Sequence, residues 1–147
     1  MPLTIREVKD GSDFAICMAI RMEVFVREQQ VPIDLEMDAF DQAATHYLAT
    51  LDGAPAATAR TRVEDDGTAR IERVAVRQLQ RGKGIGAELM QHLIARLRNH
   101  PKVKRIAISA QMQALPFYEK LGFVAEGNVY DEASIPHRKM VYRPSGE

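Results

Sequence analysis

Residues 45–76 read THYLATLDGAPAATARTRVEDDGTARIERVAV, three strand-like runs broken by Asp52-Gly53 and by Asp65-Asp66-Gly67. Asp-Gly between such runs is a strong local hairpin signal, because a tight turn that matches strand twist needs positive φ at its centre. The stretch predicts three successive antiparallel strands. Leu3 to Val8 alternates apolar and polar residues and adds a strand before them. A helical pattern covers Phe14 to Glu28, with Ser12 or Asp13 available as its N-cap and Pro32 as its stop. Downstream the sequence predicts a helix at about Gly84 to Asn99, a strand at RIAIS, a short helix around Leu115 to Leu121, and strands near FVAEG and RKMVY. The order β-α-β-β-β-α-β-α-β-β implies an α/β sandwich of the α+β kind with a mostly antiparallel sheet. The helix between IERVAV and RIAIS predicts one parallel pair, since parallel neighbours need such a crossover.

A chain of 147 residues fits one domain over 1–147 and suffices for a substantial core. No repeat, low-complexity tract or linker interrupts it. Lys plus Arg balance Asp plus Glu at 20 each, so no whole-protein field favours nucleic acid or an anionic membrane. Any anion site must therefore be local. The N-terminal MPLTIREV lacks signal-peptide character and no stretch approaches a membrane span, so a soluble cytoplasmic protein is expected. The single cysteine, Cys17, fits a reducing compartment and a core position near Phe14, Met18 and Ile20.

The segment LQRGKGIGAELMQHLI, Leu79 to Ile94, places three glycines and two cations immediately before an apolar-periodic helix. A helix start leaves about four unbonded N–H groups and roughly half a positive charge. Gly82, Gly84 and Gly86 permit close backbone approach and positive φ, while Arg81 and Lys83 add charge. Together they favour a phosphate or pyrophosphate over a plain glycine turn. A P-loop is excluded because Lys83 is followed by glycine, not by a magnesium-binding hydroxyl. A dinucleotide fingerprint is excluded by the spacing of GKGIGA and by the hairpins that precede it.

VAVRQLQRGKGIGAELM resembles the acyl-CoA-binding signature of the GNAT superfamily of N-acetyltransferases, with Gln80, Arg81, Gly82, Lys83, Gly84, Ile85, Gly86 and Ala87 as its core. AQMQALPFYEKLGF resembles the second signature of that superfamily, with Gln111 where asparagine is commoner. RMEVFVREQQVPIDLEMDAFDQAATH and the later IPH resemble its bacterial YjcF/ElaA-like branch. The resemblance implies a three-layer sandwich, a twisted mixed sheet with helices on both faces. It implies acetyl-CoA as co-substrate and no metal, with the loop binding pyrophosphate, Val74, Ala75 and Val76 binding the pantetheine arm, and Gln111 near the coenzyme chain. The acceptor would be an amine of a small molecule or peptide, and the protein a monomer or homodimer. An acyl-CoA-binding module without efficient transfer is the alternative.

Acetyl transfer needs a neutral amine, a stabilised oxyanion and a proton for the leaving thiolate. The resemblance makes Tyr118 the general acid, placed also against the coenzyme. It makes Glu72 a candidate proton relay, on a two-residue period that puts its side chain on the face of Val74 and Val76. A salt bridge from Glu72 to Arg70 or Arg73 is the structural alternative. His46 and His137 are alternative bases, since imidazole titrates near neutrality. Arg21, Phe25 and Glu28 share a face on an α-helix, with an Arg21–Glu28 salt bridge as the plainer reading. Those three, with Gln29, His46 and His137, form the expected acceptor site. Glu36, Asp38 and Asp41 are either carboxylates for a cationic amine or a solvated acidic loop.

Overall fold

The computed structural model describes residues 2–144. The chain runs β1 (Leu3–Glu7), α1 (Gly11–Arg21), a π-helix (Met22–Glu28), α2 (Ile33–Glu36), β2 (Thr45–Leu51), β3 (Ala54–Val63), β4 (Thr68–Val76), α3 (Ile85–Arg98), β5 (Arg105–Gln111), α4 (Leu115–Lys120), β6 (Phe123–Glu132) and β7 (Ile135–Tyr142). The strands form one sheet in the order β1-β2-β3-β4-β5-β7-β6. Among the described residues only β4 and β5 pair in parallel, as the intervening helix requires. The Asp52-Gly53 turn has positive φ at both residues, 52° and 84°, as its hairpin signal demanded. Among the described residues no helix is long and apolar enough to cross a membrane.

Each face of the sheet has its own apolar layer. Ala49, Ala57, Ala59 and Ala69 present small side chains to Leu89, Met90, Leu93 and Leu97 of α3, so that helix sits close against the strands. Leu115, Tyr118 and Leu121 pack against the same cluster. On the opposite face Cys17 and Ile20 of α1 pack with Val24, Leu48 and Ala75. Cys17 is fully buried there, and burial pushes its thiol up.

Three local departures from regular geometry shape the site. First, the β3–β4 register shifts between Thr58 and Arg60, opposite Arg73, whose φ is 55°. Ile71 before this bulge and Val74 and Val76 after it all pack toward the α3 layer, whereas Ala75 packs toward α1. Glu72 consequently lies on the α1 face, away from Val74 and Val76. Strict alternation had put the three together; the extra residue of the bulge breaks the period.

Second, α1 continues as a π-helix, whose wider i→i+5 turn rotates successive residues differently from an α-helix. Arg21, Phe25 and Glu28 therefore do not share one face. The N-cap of α1 is Asp10, which accepts from the Asp13 amide at 2.8 Å, not Ser12 or Asp13. Asp13 instead pairs with Arg6.

Third, the β6–β7 turn uses Ala133 and Ser134 at φ 52° and 63° without a glycine. A primed turn built from such residues has no sequence signature, which is why the strands run longer than FVAEG and RKMVY suggested. The extension sets His137 of β7 opposite Gln111 of β5 and, on its other side, opposite Tyr130 of β6, with Glu132 at the end of β6.

Candidate active site

The β4–β5 ladder covers only Thr68–Arg70 against Arg105–Ala107, after which the strands part. The far edge of β5 is taken by β7, so the β4 edge beyond Arg70 faces an opening. The Arg77 amide donates to Ala56 O in the direction of β3. Strand alternation therefore turns the backbone groups of Val74 and Val76 to the open side.

A cavity of about 630 Å³ lies along this edge, lined by Val74 to Val76, Gln80 to Gly82 and Gly84 to Ala87, with Phe117 opposite. Gly82 and Gly84 take φ 81° and 77°, and a side chain at either would meet no neighbour, so both glycines answer to backbone conformation. Gly86 has a different reason: a Cβ there would sit 3.4 Å from Phe117 and 3.5 Å from Val76, so it seats α3 against the strand. The first amides of α3, Ile85 to Ala87, have no intrahelical acceptor and carry the positive end of a fourteen-residue dipole. Loop and helix form an anion cradle that fits a pyrophosphate. The two expected cations are spoken for. Arg81 binds both Glu28 oxygens at 2.9 and 3.0 Å and the Val76 carbonyl at 2.9 Å, and Lys83 lines neither cavity but binds Gln80. Backbone and dipole, more than side-chain charge, make this loop attractive to anions.

A second cavity, of about 510 Å³, opens on the α1 face between β4, β5 and the α2 segment. The two share Gln29, Val74 and Ala114, so they meet at the β4 edge. Phe25, Glu72, Gln111, Tyr118 and His137 line the second one. Gln111 donates to Gln29 at 2.8 Å, tying β5 to the end of the π-helix. Tyr118 stacks edge-on with Phe117 and Phe123, and burial pushes its phenol up to about 12. It stays protonated at neutral pH and so has a proton to give.

Arg21 and His46, expected at the acceptor site, line neither cavity. Arg21 is buried and binds Glu36 and Asp41 rather than Glu28. His46 is buried against Phe14, with Nε2 bonded to Asp41 O at 2.9 Å. The acidic segment is neither a free amine site nor a solvated loop. Glu36 pairs with Arg21 and Arg73, Asp38 with Arg60 and Arg73, and Asp41 with Arg21 and Arg60. Glu72 binds Arg60 at 3.1 Å and Arg62 at 2.7 and 2.9 Å, not Arg70 or Arg73. Four arginines and four carboxylates thus neutralise one another beneath the cavity. Arg60 and Arg62 were not expected here; arginines at alternate positions of the small-residue strand ATARTRV were the available signal.

This network predicts a pH response. The Arg60 hydrogen bonds hold the Asp38 carboxyl below its ordinary value. Burial would raise Asp41 and Glu72, but bonds from Arg21 and Arg60, and from Arg62 with the Arg60 charge, outweigh it and both end lowered. Each therefore adds stability that is full above the ordinary carboxylate value and is lost as pH falls through its lowered folded value. Glu36 runs the other way, raised mainly by burial, with Arg21 opposing. Amides of residues 33–44 should lose exchange protection below about pH 4 while α3 keeps its own. Equal loss in both segments, or none, would show that the network does not hold this wall.

An acetyltransferase (GNAT) domain family model matches residues 8–144. The chain belongs to the GNAT acetyltransferase family. YjcF, an uncharacterised N-acetyltransferase of Bacillus subtilis, is 32% identical over 123 residues, 83% of this chain and 86% of that one. The crystal structure of Escherichia coli ElaA superimposes with a TM-score of 0.86 at 27% identity, covering 97% of this chain and 100% of the other. An acyl-CoA N-acyltransferase from Pseudomonas aeruginosa superimposes with a TM-score of 0.83 at 29% identity over 96% and 98%. This GNAT N-acetyltransferase thus shares its overall fold with solved structures of similar proteins.

Proposed function

We propose that this enzyme moves an acetyl group from acetyl-CoA directly onto a primary amine of a small molecule or peptide, in the cytoplasm. The observation that carries the reading is the meeting of the two cavities at Val74: an anion cradle on one side and a polar pocket with a neutral phenol on the other. A GNAT acetyltransferase from Elizabethkingia anophelis with acetyl-CoA bound has this fold, with a TM-score of 0.65 at 18% identity. Acetyl-CoA supplies the acetyl group as a thioester, whose thiolate is a fair leaving group with a solution pKa of about 8.5. The amides of Gly82 to Ala87 would hold the pyrophosphate, and the open-side groups of Val74 and Val76 the pantetheine arm. The Val76 carbonyl already accepts from Arg81, which leaves its N–H to polarise the thioester carbonyl. Tyr118 would protonate the departing sulfur. Cys17, buried and lining neither cavity, offers no route to an acyl-enzyme, so transfer is direct.

Release of CoA from acetyl-CoA in the presence of an amine panel tests the reading, with calorimetric binding in parallel. Binding without release for every amine would favour an acyl-CoA-binding module instead. Tyr118→Phe removes only the hydroxyl, so turnover should fall by about 10²-fold, the low end for general acid catalysis with an easy leaving group. Affinity for acetyl-CoA should stay put. An unchanged rate where chemistry limits turnover would reduce Tyr118 to a packing role.

A further inference from the structure

We infer that the acceptor is a cationic alkylamine, anchored by Glu132 and deprotonated by His137; the inference rests on the transferase reading above. Of the carboxylates lining the acceptor cavity, Glu36, Asp38 and Glu72 each bind two arginines. Arg70 pairs with Glu64. Among the described residues, Glu132 is the lining carboxylate with no arginine or lysine at ion-pair distance. Its neighbours are Ser109 Oγ, which donates at 3.3 Å, and His137 Nε2 at 3.6 Å.

His137 is held in one tautomer. Its Nδ1 lies 2.6 Å from the Ile135 carbonyl, which can only accept, so Nδ1 carries the hydrogen and Nε2 the lone pair of the neutral ring. The ring is buried, stacks on Tyr130, and stands opposite Gln111 across the β5–β7 pair. Gln111 in turn bonds Gln29, where the two cavities meet. Ser109 and Tyr130 share a hydrogen bond beside Glu132 and retain acceptor lone pairs. An ammonium has three donors, and this corner offers three acceptors of different kind: a carboxylate, an imidazole nitrogen and a hydroxyl. Glu72 is poorly suited to the same task, because its carboxylate already accepts three guanidinium hydrogen bonds.

The step balances. His137 Nε2 takes one proton from the ammonium and returns it to solvent. The neutral nitrogen attacks the thioester carbon, so a C–N bond forms as the C–S bond breaks. The nitrogen's second proton, lost as the amide forms, replaces the one that Tyr118 gives to the thiolate. Net release is one proton per acetyl group transferred.

The test compares alkylamines, cationic at neutral pH, with arylamines, which are already neutral, in wild type, Glu132→Gln and His137→Ala. Glu132→Gln should raise the alkylamine KM about tenfold and leave the arylamine and acetyl-CoA values unmoved, in line with a partly exposed charge contact. His137→Ala should lower alkylamine kcat by about 10²-fold, spare arylamines, and recover in part with added imidazole. Equal losses for both amine classes, or an unmoved alkylamine KM in Glu132→Gln, would overturn the inference. Glu132 has a half-exposed side chain, so its variant gives an answer even where His137→Ala folds poorly. Failure of the transferase reading looks different: wild type then releases no CoA with any amine.

Discussion

Gly84→Asp should lose acetyl-CoA affinity on the order of 10³-fold. A carboxylate at the N-cap of α3 would stand where the loop amides and helix dipole converge, and would repel a pyrophosphate held there. Two unit charges about 4 Å apart at an effective dielectric near 20 cost about 4 kcal/mol, three powers of ten in a dissociation constant. Two other effects have to be separated from this one. Gly84 takes φ 77°, so any side chain carries strain of about 1–2 kcal/mol. Crowding contributes nothing in the folded protein, since a Cβ at this position meets no neighbour within 4 Å. Gly84→Ala shares the strain without the charge and should bind acetyl-CoA within about tenfold of wild type. Isothermal titration of both variants isolates the electrostatic part. If the aspartate variant binds as well as the alanine variant, the anion cradle is not where the coenzyme's phosphates sit.

That cradle was legible in the sequence because its signal is local: glycines at fixed spacing, then helical periodicity. The two Asp-Gly hairpins and the parallel crossover were legible for the same reason. What was not legible depended on a residue's neighbours in space. The bulge at Arg73 leaves no mark in RIERVAV, yet it moves Glu72 to the opposite face from Val74 and Val76. The π-helix is written in the same residues as an α-helix would be, and it separates Arg21 from Glu28. Glu28 instead reaches Arg81, 53 positions away, and Arg21 reaches Glu36 and Asp41. Charged residues that read as an acceptor site are therefore largely consumed by one another. The Ala133–Ser134 turn, lacking glycine, concealed the strand extension that brings Glu132 beside His137.

The consumption of those charges makes Arg60 the position where one substitution should cost most stability. Its side chain is 1% exposed and binds Asp38, Asp41 and Glu72, joining β3 to β4 and to the segment after α2. Arg60→Met keeps much of the volume and removes the charge, leaving four carboxylates to three arginines below the cavity. Removing one partner of a buried ion pair typically costs about 3–5 kcal/mol, because the remaining charge stays desolvated. Against a total stability of about 5–15 kcal/mol that is a large share, worth roughly 10 °C in melting temperature for a domain of this size. Arg60→Lys should recover little, since one ammonium cannot fork across three carboxylates. The companion change Asp38→Asn restores the balance of charge. In urea denaturation the double variant should therefore be more stable than the sum of the single changes by about 0.5–3 kcal/mol. Strict additivity, or a loss below about 1 kcal/mol in Arg60→Met, would mean that water already screens this network. In that case the acceptor wall would rest on the apolar contacts of the π-helix instead.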